Sequence, residues 1–124
     1  MSNAGDLNNH AALLLCFHGE TADIIKQNQT SMLVSEGSNA TLSCTYGGNV
    51  YSLHWYQQKP GSRPEFLLLV DETTQHITKA ETLERLSVSL NKQSKTVDLE
   101  ISSAAVSDSA FYYCALFDKY SSIA

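Results

Sequence analysis

From Asp23 onward the apolar positions of this chain recur at every second residue, the signature of β-strands with one buried face. In Asn39-Ala40-Thr41-Leu42-Ser43-Cys44, Ala40, Leu42 and Cys44 share one face, while Asn39, Thr41 and Ser43 share the other. Leu53 and Trp55 align in the same way, as do alternate residues of Leu86–Leu90 and Val97–Ile101, the latter placing Leu99 inward. Ala110, Tyr112 and Cys114 alternate with Phe111 and Tyr113, whereas Phe66–Val70 is a continuous apolar run suited to a strand covered on both sides. Turn chemistry separates these runs. Gly47-Gly48-Asn49, Pro60-Gly61 and Asn91–Lys95 all lie between apolar strands. No segment carries a helical period apart from a short turn around Ser102–Ser107. Many short strands at this spacing predict an all-β sandwich or barrel.

Length and charge narrow the picture. A chain of 124 residues is expected to form one domain with a real but modest core. Its net charge of −5 argues against nucleic acid and against an anionic membrane surface as partners. No apolar run approaches the ~20 residues of a membrane span, so any anchor is expected outside this chain. Three cysteines are present, Cys16, Cys44 and Cys114, without a C-x-x-C pair. A long-range disulfide between Cys44 and Cys114 fits better than a metal site and implies an oxidising compartment.

Residues 1–22 differ from the rest. Ala11–Phe17 is a short apolar core followed by Gly19-Glu20-Thr21-Ala22, which reads as a secretory leader. Asp6, the lack of Lys or Arg before the apolar run, and Glu20 fit that pattern poorly, and a disordered extension is the alternative. Removal of a leader would take Cys16 with it. The expected organisation is therefore 1–22 leader or extension, 23–116 folded domain and 117–124 a short tail.

The most informative spacing is Cys44, Trp55 eleven residues later, then Tyr112-x-Cys114. A disulfide can bridge two sheets about 10 Å apart, an indole on a neighbouring strand can cover it, and a tyrosine two residues before the second cysteine can bond back to its loop. CTYGGNVYSLHWYQQKPG, ERLSVSLNKQSKTVDLEIS and VSDSAFYYCAL resemble the framework of an immunoglobulin variable domain. More narrowly, they resemble a T-cell receptor alpha-chain variable segment, with a delta-chain segment close behind. The resemblance implies a two-sheet Greek-key sandwich with Trp55, Tyr112 and Leu99 in its core. It also implies a salt bridge between Arg85 and Asp108.

Function would sit at the loops and on one sheet face. The resemblance maps hypervariable positions onto Tyr46–Ser52, Asp71–Thr74 and the residues after Cys114. Tyr46, Asn49, Tyr51, Asp71, Glu72 and Thr73 are the expected contacts to a peptide held by a major histocompatibility molecule. Alternation puts Tyr56, Gln58 and Tyr113 opposite the core; with Phe66 and Pro64 nearby, this face is too aromatic for a solvated surface and predicts an interface. By resemblance it packs on a second, beta-type variable domain to form a heterodimer, with Gln58 bonding its counterpart and signalling subunits contacting regions outside this domain. The chain would act at the extracellular face of the plasma membrane. The alternative is a stand-alone variable-type immune or adhesion receptor. Asn28-Gln29-Thr30 and Asn39-Ala40-Thr41 are candidate glycosylation sequons.

Nothing points to catalysis. His10, His18, His54 and His76 lack ligand spacing with Cys, Asp or Glu, and no nucleophile elbow or phosphate loop occurs. No metal or other cofactor is called for. One departure from the family pattern stands out: Phe117–Ala124 contains no Phe-Gly-x-Gly or Trp-Gly-x-Gly, so the final strand is expected to be missing. Its loss would leave an open edge beside Tyr112–Cys114, with low stability and self-association as the expected consequence.

Overall fold

The computed structural model describes residues 10–15, 25–28, 31–80 and 84–118. Ten strands are present among them: β1 His10–Leu15, β2 Ile25–Gln27, β3 Ser31–Ser35, β4 Ala40–Tyr46, β5 Val50–Gln58, β6 Glu65–Asp71, β7 Ile77–Lys79, β8 Leu86–Asn91, β9 Thr96–Ile101 and β10 Phe111–Asp118. A 3₁₀ turn at Val106–Asp108 lies where sequence alone suggested a short turn. The strands form two sheets, one of order β3-β1-β10-β5-β6-β7 and one of order β2-β4-β9-β8. In the first, β10 returns to pair with β5; in the second, β9 returns to pair with β4. These returns make the expected Greek-key sandwich.

Alternation explains which side of each strand is buried. β4 buries Ala40, Leu42, Cys44 and Tyr46, and β9 buries Val97, Leu99 and Ile101. From the other sheet, Leu53, Trp55, Leu68, Val70 and Tyr112 complete the core. Cys44 and Cys114 are joined across the sheets with their Cα atoms 6.6 Å apart, within the ordinary range for a disulfide. Trp55 is 0% exposed and lies directly across from Cys114 in the β5–β10 register. The Lys59–Ser62 turn has the bond Ser62 N–H to Lys59 C=O at 2.9 Å, and Gly61 at φ +77° takes the position that needs a left-handed residue.

The open edge expected beside β10 is covered. Among the described residues no strand follows β10, but β1 lies along it in parallel, with Leu14 opposite Phe111 and Leu15 opposite Tyr112. On its other side β1 pairs antiparallel with β3 from His10↔Ser35 to Leu14↔Ser31. Part of the segment expected to be a leader or extension is thus a sheet strand. The physical reason is the exposed row of N–H and C=O groups on β10 and β3, which an extended apolar segment satisfies. The remaining leader residues, Cys16 included, and the tail after Asp118 lie outside the described residues. β10 itself runs through Phe117 and Asp118, two residues past the expected domain end.

This arrangement makes β1 a stability determinant. A chain starting at Asp23 should unfold at lower temperature than the full chain and should self-associate as its concentration rises. Calorimetry and sedimentation velocity check this. A truncated chain equally stable and equally monomeric would show that β1 contributes nothing to the sheet.

Candidate functional site

One end of the sandwich is closed by a polar cluster built on Tyr112. Its hydroxyl donates to the backbone carbonyl of Asp108 at 2.5 Å and accepts from Gln57 Nε2 at 2.9 Å, while Gln27 Nε2 donates to the Tyr112 carbonyl at 3.0 Å. Burial pushes the Tyr112 hydroxyl up to about 12, so it remains a donor at any physiological pH. Beside it, Arg85 Nη2 and Nη1 donate to Asp108 Oδ1 and Oδ2 at 2.8 and 2.9 Å. Arg85 Nη1 also reaches the carbonyls of Ser102 and Ser103. Burial favours the neutral Asp108 carboxyl, but the Arg85 hydrogen bonds, the Ala105 N–H and the charges of Arg85 and Lys59 outweigh it, leaving Asp108 below the usual carboxylate range. The salt bridge expected from sequence is present and bidentate, which places it above an ordinary surface pair.

The opposite end carries the loops. The β4–β5 connection contracts to Gly47–Asn49, and Asn49 and Tyr51 are exposed, Tyr51 at 52%. In the β6–β7 loop, Asp71 Oδ1 accepts the N–H groups of Thr73 and Thr74, a tight Asx turn that holds the Asp71 carboxyl below its ordinary range. The two loops are tied by the Glu72 N–H bonding to the Tyr51 carbonyl at 3.0 Å. Thr73 is exposed and Glu72 half-buried. Tyr46 is a correction to the expected contact set. It is 4% exposed, at the end of β4, with its hydroxyl on Glu72 Oε2 at 3.2 Å and the Lys95 ammonium over its ring. Strand periodicity carries it inward with Cys44, so it supports the loop from below. Burial first, then Glu72, pushes its hydroxyl up to about 12.

The outer face of the six-stranded sheet gathers Tyr56, Gln58, Phe66 and Tyr113, all half-buried, with Pro64 exposed at its rim. Tyr56 and Phe66 pack edge to face with centroids 5.8 Å apart. Tyr113 donates its hydroxyl to Gln58 Oε1 at 2.6 Å, and Gln58 Nε2 donates to the Ser62 carbonyl at 2.8 Å. Sequence reading missed His54, which joins this face. It is 9% exposed, 2.8 Å from Ser52 Oγ through Nε2, and lies against Tyr56, Phe66 and Phe117. The signal was available, since His54 alternates with Ser52 and Tyr56 on the outward side of β5. Asn28 and Asn39 are both exposed; Thr30 of the first sequon lies outside the described residues. Among the described residues no cluster of His, Cys, Asp or Glu suits a metal ion, and no helix is long and apolar enough to cross a membrane.

Two outcomes follow from this geometry. Arg85→Ala should lower unfolding free energy by roughly 1–3 kcal/mol, because it strips hydrogen bonds from a largely buried carboxylate; urea titration at neutral pH measures it, and a negligible change would mean the bridge is idle. Burial lowers the pKa of His54 from its ordinary value of 6.5, so the folded state favours the neutral ring. Its contribution is complete above that value and is lost as pH falls below it, since the unfolded chain then binds the extra proton. His54→Phe and His54→Gln should both flatten the stability–pH curve between neutral pH and about pH 5. An unchanged curve in both would assign that slope to other groups.

Comparison with known proteins agrees with this architecture. Residues 27–123 match the family described as Immunoglobulin V-set domain. The human protein "T cell receptor alpha variable 38-1" is 37% identical over 102 residues, covering 81% of this chain and 85% of the relative. Human "T cell receptor alpha variable 38-2/delta variable 8" is 36% identical over the same shares of each chain. Human "T cell receptor alpha variable 3" is 36% identical over 109 residues, covering 86% of this chain and 92% of the relative. With its bridged sheets, covering tryptophan, tyrosine corner and Arg85–Asp108 pair, the chain belongs to the immunoglobulin V-set family, among sequences similar to T-cell receptor alpha variable segments.

Proposed function

We propose that this chain is the antigen-recognition variable domain of a T-cell receptor alpha-like chain. It pairs with a beta-type variable domain and meets peptide–MHC through its loops, at the extracellular face of the plasma membrane. The observation that carries this reading is the aromatic outer face of the six-stranded sheet in a chain similar to alpha variable segments. Tyr56, Phe66, Tyr113 and exposed Phe117 gather on that face, with the Gln58 amide beside Tyr113, and aromatic residues are enriched in interface cores. Gln58 suits a reciprocal contact with a partner. An amide has two N–H donors and two acceptor lone pairs. Tyr113 and Ser62 each use one and fix the group's orientation. One donor and one lone pair remain for a reciprocal bond to a partner's amide. At the sandwich end, Asn49, Tyr51 and Thr73 offer a rigid ring and adaptable polar groups on loops locked together by the Glu72–Tyr51 bond.

Co-expression with a panel of beta-type variable domains, read by size exclusion and analytical ultracentrifugation, tests the pairing. Tyr56→Glu or Phe66→Glu should weaken the heterodimer by at least ~30-fold, the effect of losing a buried hot spot of about 2 kcal/mol. Tyr51→Ala should leave pairing intact and reduce only binding to peptide–MHC. Failure of every beta-type domain to pair, or pairing indifferent to a charge at Tyr56, would overturn this assignment.

A further inference from the structure

We propose that Asn39 carries an N-linked oligosaccharide which lies on the outer face of the four-stranded sheet, at the end of the domain away from the loops. The sequon is Asn39-Ala40-Thr41, and the strand geometry presents it in a usable form. Asn39 leads directly into β4, where alternation turns Ala40 inward, 2% exposed, and leaves both Asn39 and Thr41 outward and exposed. The amide and the hydroxyl of the sequon therefore share one solvent face. Asn39 Oδ1 accepts the Ser103 backbone N–H at 3.2 Å, and among the described residues Nδ2 makes no hydrogen bond. That one bond orients the amide while leaving free the nitrogen that must react.

The chemistry is compatible with the same bond. Nδ2 bonds to the anomeric carbon of an oligosaccharide carried on a lipid pyrophosphate, the donor supplied by the lumen of the secretory pathway. The anomeric carbon–oxygen bond breaks, the lipid pyrophosphate departs with the electron pair, and one amide proton passes to a base. Nothing is oxidised or reduced. The primary amide becomes a secondary amide with its carbonyl oxygen intact, so Oδ1 keeps its bond to Ser103 after modification.

The surface beyond Asn39 suits a hydrated sugar. The outward residues of β4, β9 and β8 include Thr41, Ser43, Asp98, Glu100, Ser87 and Ser89, and no aromatic stands at any outward position of these strands. Thr41, Ser87, Ser89, Asp98 and Glu100 line a shallow groove of about 210 Å³. Hydroxyls and carboxylates offer hydrogen bonds to a saccharide and little of the apolar area that a protein interface core uses. β4 then runs seven residues toward Tyr46 beneath the loops, about 20 Å at strand rise. A glycan rooted at Asn39 therefore leaves both the aromatic sheet face and the loop end uncovered. Asn28 differs: its Oδ1 accepts the Thr45 hydroxyl at 3.2 Å, beside the middle of β4, and the proposal for Asn39 stands without it.

The test is the full chain expressed in human cells behind an added signal peptide, with secreted and intracellular membrane fractions both analysed. Peptide N-glycosidase treatment in heavy-oxygen water converts a formerly glycosylated asparagine to labelled aspartate, which peptide mass spectrometry locates. Label is expected at Asn39. It should vanish in Thr41→Ala, which leaves Asn39 and its Ser103 bond in place, and persist in Thr41→Ser and in Asn28→Gln. An unlabelled Asn39 in lumenal wild-type protein, or label that survives Thr41→Ala, would overturn the proposal.

Discussion

Everything else in this domain depends on holding two sheets face to face across an apolar core, and the Cys44–Cys114 bridge with Trp55 against it does this. The bridge spans 70 residues of sequence, and closing so long a loop removes denatured-state entropy on the order of 4 kcal/mol. Trp55 sits opposite Cys114 with its ring fully buried, but its indole N–H has no acceptor among the described residues. An unpaired buried donor costs about 1–3 kcal/mol. Burying about 200 Å² of ring recovers about 5 kcal/mol. Packing therefore outweighs the unpaired donor at this position.

The core leaves the ends of the sandwich to be sealed by polar groups. At one end, Tyr112 links three elements: its hydroxyl bonds Gln57 of β5 and the carbonyl of Asp108 before β10, and its backbone carbonyl accepts from Gln27 of β2. The Arg85–Asp108 pair then fastens β8 to the 3₁₀ turn. At the other end, Tyr46 and Glu72 play a similar part beneath the loops. Each end is thus a tyrosine whose ring belongs to the core and whose hydroxyl is anchored at that end, Tyr112 on a backbone carbonyl and Tyr46 on the Glu72 carboxylate.

Strand alternation made most of this legible before any coordinates. Cys44, Trp55, Leu99, Tyr112 and the Arg85–Asp108 pair stand where pattern and resemblance put them, and so does the aromatic face. What escaped notice has physical reasons. The resemblance maps Tyr46 onto a hypervariable loop, but period two governs one residue longer than Cys44–Thr45 and carries its ring inward. Gln27 is a buried polar residue, which single-sequence patterning weighs as solvent-facing, and His54 stands on the outward side of β5, where its burial depends on neighbours from β6 and β10. β1 was read by the length of its apolar run, which is equally that of a leader core and of a strand. Only the unsatisfied edge of β10, a property of the assembled sheet, distinguishes the second outcome.

The two sheets also have outer faces of opposite character, although both are built from alternating strands. On the six-stranded sheet, β5, β6 and β10 turn Tyr56, Phe66, Tyr113 and Phe117 outward around His54 and Gln58. On the four-stranded sheet, β4, β8 and β9 turn outward serine, threonine, aspartate and glutamate, with Ser43 donating to Asp98 at 2.7 Å. Core packing demands nothing of either outer face, so stability of the sandwich does not explain the difference. An aromatic outer face exposes apolar area and favours association, whereas a polar one is content in water. The asymmetry therefore distinguishes the two faces: one sheet turns aromatic surface outward and the other turns hydroxyls and carboxylates outward. The loops that rise from one end lie between these two surfaces, free of both.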